Sequence, residues 1–148
     1  MKISTKGRYA LRLMIELAKF DQTTPVRLKE LAERQNISEK YAEQIIGLMR
    51  RGGVVNAKRG TQGGYELAKN PKDISVGTIL RLTEGDLSPV PCLENNGVPC
   101  ERKYSCATYH LWEKLNQSIN EVVDNTSIAD LAEIDRLNLN DMMMGAGI

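Results

Sequence analysis

Aromatic side chains are scarce in this chain of 148 residues, with one Phe, one Trp and five Tyr. Histidine occurs once and cysteine three times. A lone histidine leaves little general-base capacity near neutral pH. No Cys-x-x-Cys pair, catalytic triad or phosphate loop accompanies it, so an enzyme is not expected. Three cysteines are an odd number and fit poorly with a closed disulfide framework, which points to a reducing, cytoplasmic setting. No apolar run approaches the roughly 20 residues of a membrane span. The basic start MKISTKGRYALRLM is broken by Arg8, Arg12 and Glu16, so an apolar signal-peptide core is not expected either.

What is present is unevenly placed. The net charge of +1 hides two unlike halves. Residues 1–72 carry 15 Lys and Arg against 7 Asp and Glu, whereas residues 73–148 carry 5 against 12. A basic half suits a polyanionic partner, of which nucleic acid is the commonest. The scarce soft ligands are also gathered: Cys92, Cys100, Cys106 and His110 fall in one stretch broken by Pro89, Pro91, Gly97 and Pro99. Such a loop needs something to order it, and a metal centre would do so.

Apolar spacing predicts a helix from Thr5 to about Phe20, with Tyr9, Leu13, Leu17 and Phe20 on one side. A short helix over Leu28–Gln35 follows. A third starts at the N-cap Ser38 and stops at Gly52-Gly53, with Tyr41, Ile45, Leu48 and Met49 facing inward. Val54-Val55 and Tyr65-Glu66-Leu67 read as two short strands around a basic, glycine-rich tip. Ser75 caps a helix through Leu82. A long helix is expected from Cys106 to Asn125, and its stripe of Leu111, Leu115, Ile119 and Val122 finds no obvious cover in so small a domain. Ser127-x-x-Asp130 opens a short last helix, after which residues 136–148 read as a disordered tail.

Two short helices, a tight turn and a basic hairpin make a winged helix-turn-helix. The fold class is therefore mainly α, with a small β-hairpin wing and a long C-terminal helix. Domain boundaries fall at 1–85 for the DNA-binding part, 86–105 for the cysteine loop and 106–135 for the long and last helices. A recognition helix must be polar on one side to enter a major groove about 12 Å wide, and its N-terminal half meets the bases. Here that half offers Ser38, Lys40, Tyr41, Glu43 and Gln44. Glu43 can accept from cytosine and Gln44 can pair with adenine. Arg50 suits a phosphate. Lys58 and Arg59 sit at the wing tip, where an arginine can enter a narrow minor groove. Lys2 and Arg8 lie at the start of the first helix, placed for the flanking backbone.

The cysteine spacing, Cys-x7-Cys-x5-Cys-x3-His, lacks the close Cys-x2-4-Cys knuckles of a structural zinc site. A loop wrapped around a bulkier inorganic cluster fits it better, with Cys92, Cys100, Cys106 and His110 as the candidate ligands. A zinc-stabilised DNA-binding protein without a sensing role is the alternative.

These residues resemble a known family. The opening MKISTKGRYALRLMIELA, Leu28-Lys29-Glu30-Leu31-Ala32, Ile37-Ser38-x-x-Tyr41, Arg59-Gly60-x-x-Gly63-Gly64-Tyr65 and the three-cysteine loop are similar to the IscR-type iron–sulfur cluster regulators over residues 1–135. The resemblance implies a homodimeric transcription regulator, a repressor for instance of cluster-assembly genes, sensing cluster, iron or redox status. It implies that the helix over residues 106–125 crosses its twin, and that Cys92, Cys100 and Cys106 hold a cluster, [2Fe–2S] first and [4Fe–4S] second. Ser38, Tyr41, Glu43 and Arg59 occupy positions matching the family's DNA contacts. One departure is plain: the family pattern places its histidine three residues after the third cysteine, where this chain has Tyr109, and His110 comes one later. A nitric-oxide-sensing branch shares the three cysteines but expects an acidic ligand where this chain has Arg8, which argues against that branch.

Overall fold

The computed structural model describes residues 2–145. Ser4 starts α1 (Thr5–Lys19) by accepting the Gly7 amide on its hydroxyl at 3.0 Å. Ala10, Leu13, Met14 and Leu17 recur at helical spacing and form the floor of the core. Phe20 is extended and ends the helix one residue earlier than the periodicity suggests.

The turn between α2 (Leu28–Gln35) and α3 (Glu39–Arg51) is fixed by two backbone devices. Asn36 takes a left-handed conformation at φ 52°, which Asn tolerates, and its amide bonds back to α2. Ser38 then caps α3 by accepting the Tyr41 amide at 3.1 Å. The buried face of α3 is Ala42, Ile45, Ile46 and Met49. Tyr41 and Leu48, expected inside, are half-buried at its margins. The small Ala42, fully buried, takes the inner place on this turn that the sequence reading gives to Tyr41.

The wing pairs β1 (Val55–Lys58) with β2 (Gly64–Leu67) antiparallel, Val55 opposite Leu67 and Lys58 opposite Gly64. Val26 adds a third short edge, exchanging two 2.8 Å backbone hydrogen bonds with Tyr65. A Cβ on Gly64 would lie 2.5 Å from the Val26 carbonyl oxygen, so this close approach requires glycine.

Ser75 caps α4 (Val76–Glu84), which packs on α1. A short 3-10 turn, Pro91–Leu93, leads through an irregular loop to α5 (Tyr109–Asn125). The start of α5 departs from expectation. Thr108 is its N-cap, so Cys106 lies outside the helix, and the one-turn relation between Cys106 and His110 is not formed. Buried Tyr109 anchors the first turn instead.

The end of the chain also departs. The last helix, α6 (Ile128–Gly145), is not short: it runs through residues expected to be tail. Leu, Asn, Asp and Met continue without proline or glycine up to Gly145, so nothing stops it sooner. Residues 146–148 lie outside the described residues. The expected capping box is formed, Ser127 and Asp130 exchanging amide and side-chain bonds of 2.8 and 3.0 Å. Ile128 is fully buried in the core with Leu13, Ile74 and Ile79, so residues on both sides of the thiol loop share one core. Among the described residues no helix is long and apolar enough to cross a membrane.

Candidate nucleic-acid interface and thiol loop

Seating α3 on its apolar face leaves the opposite face in solvent. Ser38, Lys40, Glu43 and Gln44 are exposed there, as is Arg50 at the far end. Ser38 spends one acceptor site on the cap, and its hydroxyl proton stays available. Tyr41 is held by an edge-to-face contact with Tyr9 of α1, ring centroids 6.0 Å apart. Arg12 lies over the other aromatic partner, 5.0 Å from the Tyr9 ring centre.

At the wing, Arg59 is exposed at the tip. Lys58, one residue before it, is 3.3 Å from Glu66 across the hairpin, which leaves Arg59 the less committed cation. Lys2 and Arg8 are exposed near the start of the chain, and Arg8 donates to the Thr5 hydroxyl at 3.1 Å. Every residue expected to meet DNA therefore reaches solvent; only Tyr41 does so from a half-buried place.

One residue that orients the wing was not legible from composition. Arg27 donates from its guanidinium to the Thr61 carbonyl at 2.6 Å, tying the hairpin tip to the start of α2. Its sequence signal is slight: a cation at the first residue after an edge strand.

The thiol loop leaves α4 through Gly85, at φ 80°. Asp86 then collects two amides, Ser88 at 2.7 Å and Asn95 at 3.0 Å. Hydrogen bonds from Ser88 and Asn95 hold its carboxyl below the usual carboxylate range. Ser88 donates to the Leu93 carbonyl at 3.1 Å, so the turn carrying Cys92 is pinned near the end of α4. Asp-x-Ser after a helix-ending glycine was the readable sign of this turn.

All three thiols are free and half-buried. Cys106 is distinct among them. Its sulfur lies 3.3 Å from the Thr108 hydroxyl, and bonds from the Thr108 side chain and backbone lower its pKa toward the thiolate form. His110 points elsewhere: its side chain is 87% exposed, with Nδ1 3.2 Å from Glu113. Among the described residues no three His, Cys, Asp or Glu side chains are gathered into a metal-holding group. The donor chemistry nonetheless fits a cluster, because three soft thiols outside any disulfide share one irregular segment.

The helices that flank the loop are joined to each other. Arg81 of α4 binds Asp124 of α5 at 2.5 and 3.0 Å and Asn120 at 2.7 Å. Ile119 and Val123 of α5 pack against Val76, Leu80 and Leu87. The rest of the expected stripe stays open: Leu111, Leu115 and Val122 are 50%, 42% and 65% exposed.

The chain is similar to known transcriptional regulators along most of its length. A family model described as Rrf2, iron-dependent transcriptional regulator, matches residues 3–134. The HTH-type transcriptional regulator CymR of Bacillus subtilis (strain 168) is 44% identical over 132 residues, 89% of this chain and 90% of that protein. The HTH-type transcriptional regulator IscR of Aliivibrio salmonicida (strain LFI1238) is 35% identical over 131 residues, 88% of this chain and 77% of that one. Among solved structures, that of B. subtilis CymR, described as the global cysteine regulator, matches with a TM-score of 0.74 at 41% identity, covering 90% of this chain and 98% of its own. T. potens IscR matches with a TM-score of 0.72 at 41% identity, covering 91% and 88%.

Proposed function

Because the chain belongs to the Rrf2 family of transcriptional regulators, we propose that it is a homodimeric, operator-binding repressor whose grip on DNA depends on an iron–sulfur cluster held by Cys92, Cys100 and Cys106. The observation that carries the DNA part is the seating of α3: an apolar face fixed in the core, an exposed face of Ser38, Lys40, Glu43 and Gln44, and a cationic wing beside it. Ser38, Tyr41, Glu43, Gln44 and Arg59 read the bases and grooves in this proposal, while Lys2, Arg8, Lys40, Arg50 and Lys58 hold phosphates. The relatives are transcriptional regulators rather than enzymes. Residues 1–85 act as the DNA-binding part, 86–105 as the sensing loop and the helices beyond as the dimer contact. The protein would work where the DNA is, in the cytoplasm.

A cluster at the three thiols would supply a link sensitive to iron and redox state. The chain's own residues carry the consequence. Asp86 and Ser88 tie the Cys92 turn to the end of α4, Arg81 ties α4 to α5, and α4 packs on α1 beneath the recognition helix. An ordered loop thus stiffens the frame that presents α3. Coupling of about 1–3 kcal/mol, typical of allosteric proteins, gives roughly 5–150-fold in DNA affinity. [2Fe–2S] is the first expectation and [4Fe–4S] the second.

The test is purification without oxygen, followed by visible absorbance, iron and acid-labile sulfide, and selection of binding sites from a randomised duplex pool. Iron with sulfide, and a selected site bound more tightly than scrambled DNA, supports the proposal. Zinc without sulfide would leave a zinc-stabilised DNA-binding protein.

A second reading has an observation of its own. The thiols stand free and ungathered, and the similar B. subtilis protein is described as a global cysteine regulator. On that reading this chain binds DNA without a cluster and answers to sulfur supply. DNA binding by metal-free protein at full affinity would favour it.

A further inference from the structure

Below the helix-turn-helix lies a charged group that DNA reading does not use. Glu16 is on the inner side of α1, with 9% of its side chain exposed. Its Oε1 accepts from Lys19 at 3.0 Å and from Gln35 at 2.9 Å. Its Oε2 is buried without a hydrogen bond, 3.6 Å from the Arg34 guanidinium. A buried carboxylate is a poor way to gain stability, since an apolar side chain of like volume often does as well. What it supplies is direction, because hydrogen bonds fix angles that apolar contacts leave free.

The group is continuous in both directions. Toward the C-terminus, Lys19 also donates to Asp135 of α6 at 2.7 Å. Toward DNA, Gln35, the last residue of α2, accepts from Arg12 at 2.6 Å. Arg12 covers Tyr9, and Tyr9 meets Tyr41 on the recognition helix. A single set of contacts thus runs from α6 through α1 and the end of α2 to α3.

We propose that Asp135, Lys19, Glu16 and Gln35 are positioning residues that set the recognition helix relative to α6, so that the C-terminal helices influence sequence-specific DNA binding. None of the four is placed among the DNA contacts. The inference rests on the DNA-binding reading above, and it adds a route that does not pass through the thiol loop.

The probe is the duplex that the wild-type protein enriches from a randomised pool, beside a scrambled duplex of equal composition. Asp135→Asn and Glu16→Gln should each weaken the enriched duplex by about 3–10-fold, a range usual for remote coupling. Binding to the scrambled duplex and the salt slope should not change, since no phosphate contact is removed. The double variant should be no weaker than the weaker single, because both break one path. Should Glu16→Gln fold poorly, Lys19→Met takes its place in the cycle. Equal loss on both duplexes, multiplied effects in the double variant, or wild-type affinity in the singles would each overturn the inference. A wild-type chain that enriches no duplex would instead overturn the DNA-binding reading and this inference with it.

Discussion

Arg27 spans the gap between the start of α2 and the wing tip, its guanidinium 2.6 Å from the carbonyl oxygen of Thr61. The hairpin is otherwise held at its base, by the β1–β2 ladder and the Val26–Tyr65 bridge. Without Arg27 the tip bearing Arg59 keeps its charge and loses its aim. Arg27→Ala should lower DNA affinity by about 3–10-fold while changing the melting temperature little, since the bond is exposed and an exposed hydrogen bond contributes only about 1 kcal/mol. Combined with Arg59→Ala, it should add almost nothing further. Binding titrations of both singles and the double decide this; full additivity would make Arg27 an independent phosphate contact instead.

Glu43 stands exposed on the second turn of α3, one residue past buried Ala42. A carboxylate there repels phosphate and gains only where it accepts from a cytosine amino group. Glu43→Ala should therefore relax base preference at one position by about 1–3 kcal/mol while non-specific binding holds or rises. Repeating site selection with the variant measures this directly; an unchanged selected site would remove Glu43 from the base-reading set.

Leu115 sits in the middle of the open stripe of α5, between Leu111 and Val122. In a two-fold dimer each change occurs twice. Leu115→Glu forfeits part of the roughly 1.5–3 kcal/mol that a fully buried leucine contributes, and does so on both chains. Dimer affinity should fall accordingly: the variant should run as a monomer at micromolar concentration where the wild type is expected to run as a dimer. Light scattering across a dilution series reads the difference. A dimeric variant would place the contact elsewhere, and a wild-type monomer would overturn the dimer itself.

The Arg81–Asp124 pair gives a pH signature. Hydrogen bonding to Arg81 holds the Asp124 carboxyl below the usual range. A lowered folded-state pKa means stability present above the unfolded value, near 4, and lost as pH falls through the folded one. Both side chains are substantially exposed, so solvent screening limits the pair to about 0.5–1 kcal/mol. Arg81→Ala should be less stable than wild type by that amount at pH 6–7, and the two urea midpoints should converge below about pH 4. A gap that persists at pH 2 would show that Arg81 matters through its bond to Asn120 or its packing rather than through the charge pair.

Local chemistry made much of this molecule readable. Ser38 marks the cap of α3, Gly52-Gly53 its end, and Ser127-x-x-Asp130 the start of α6. Each is a short-range signal with one physical cause. What stayed hidden was set at long range. Nothing near Val26 announces that it will pair with Tyr65, nor does Lys19 show by itself that it will meet Asp135. The boundaries misread at α5 and α6 have local explanations: the helix expected to open at Cys106 is capped at Thr108 instead, and the Leu- and Met-rich end of α6 has too irregular a polarity to look like a helix. The exposed polar face of α3 was legible because its apolar residues recur at helical spacing on the other side. The grouping of the three cysteines with His110 rested on scarcity and spacing along the chain, and among the described residues the structure does not gather them.

His110 is where composition and geometry part. It was grouped with the cysteines by scarcity, yet its ring is 87% exposed and paired with Glu113, while Tyr109 beside it turns inward. If three thiols suffice to hold the cluster and the fourth donor comes from elsewhere, His110→Ala should retain most of its iron and sulfide, whereas Cys92→Ala, Cys100→Ala and Cys106→Ala should each lose nearly all of it. Acidified Cys106 should also be the fastest of the three to react with a thiol-specific alkylating reagent in metal-free protein, because the thiolate is the nucleophile. Iron and sulfide analysis of the four variants, prepared without oxygen, settles the ligand set. Loss of cluster in His110→Ala equal to that in the cysteine variants would show that the imidazole leaves Glu113 and turns toward the thiols when the cluster is bound.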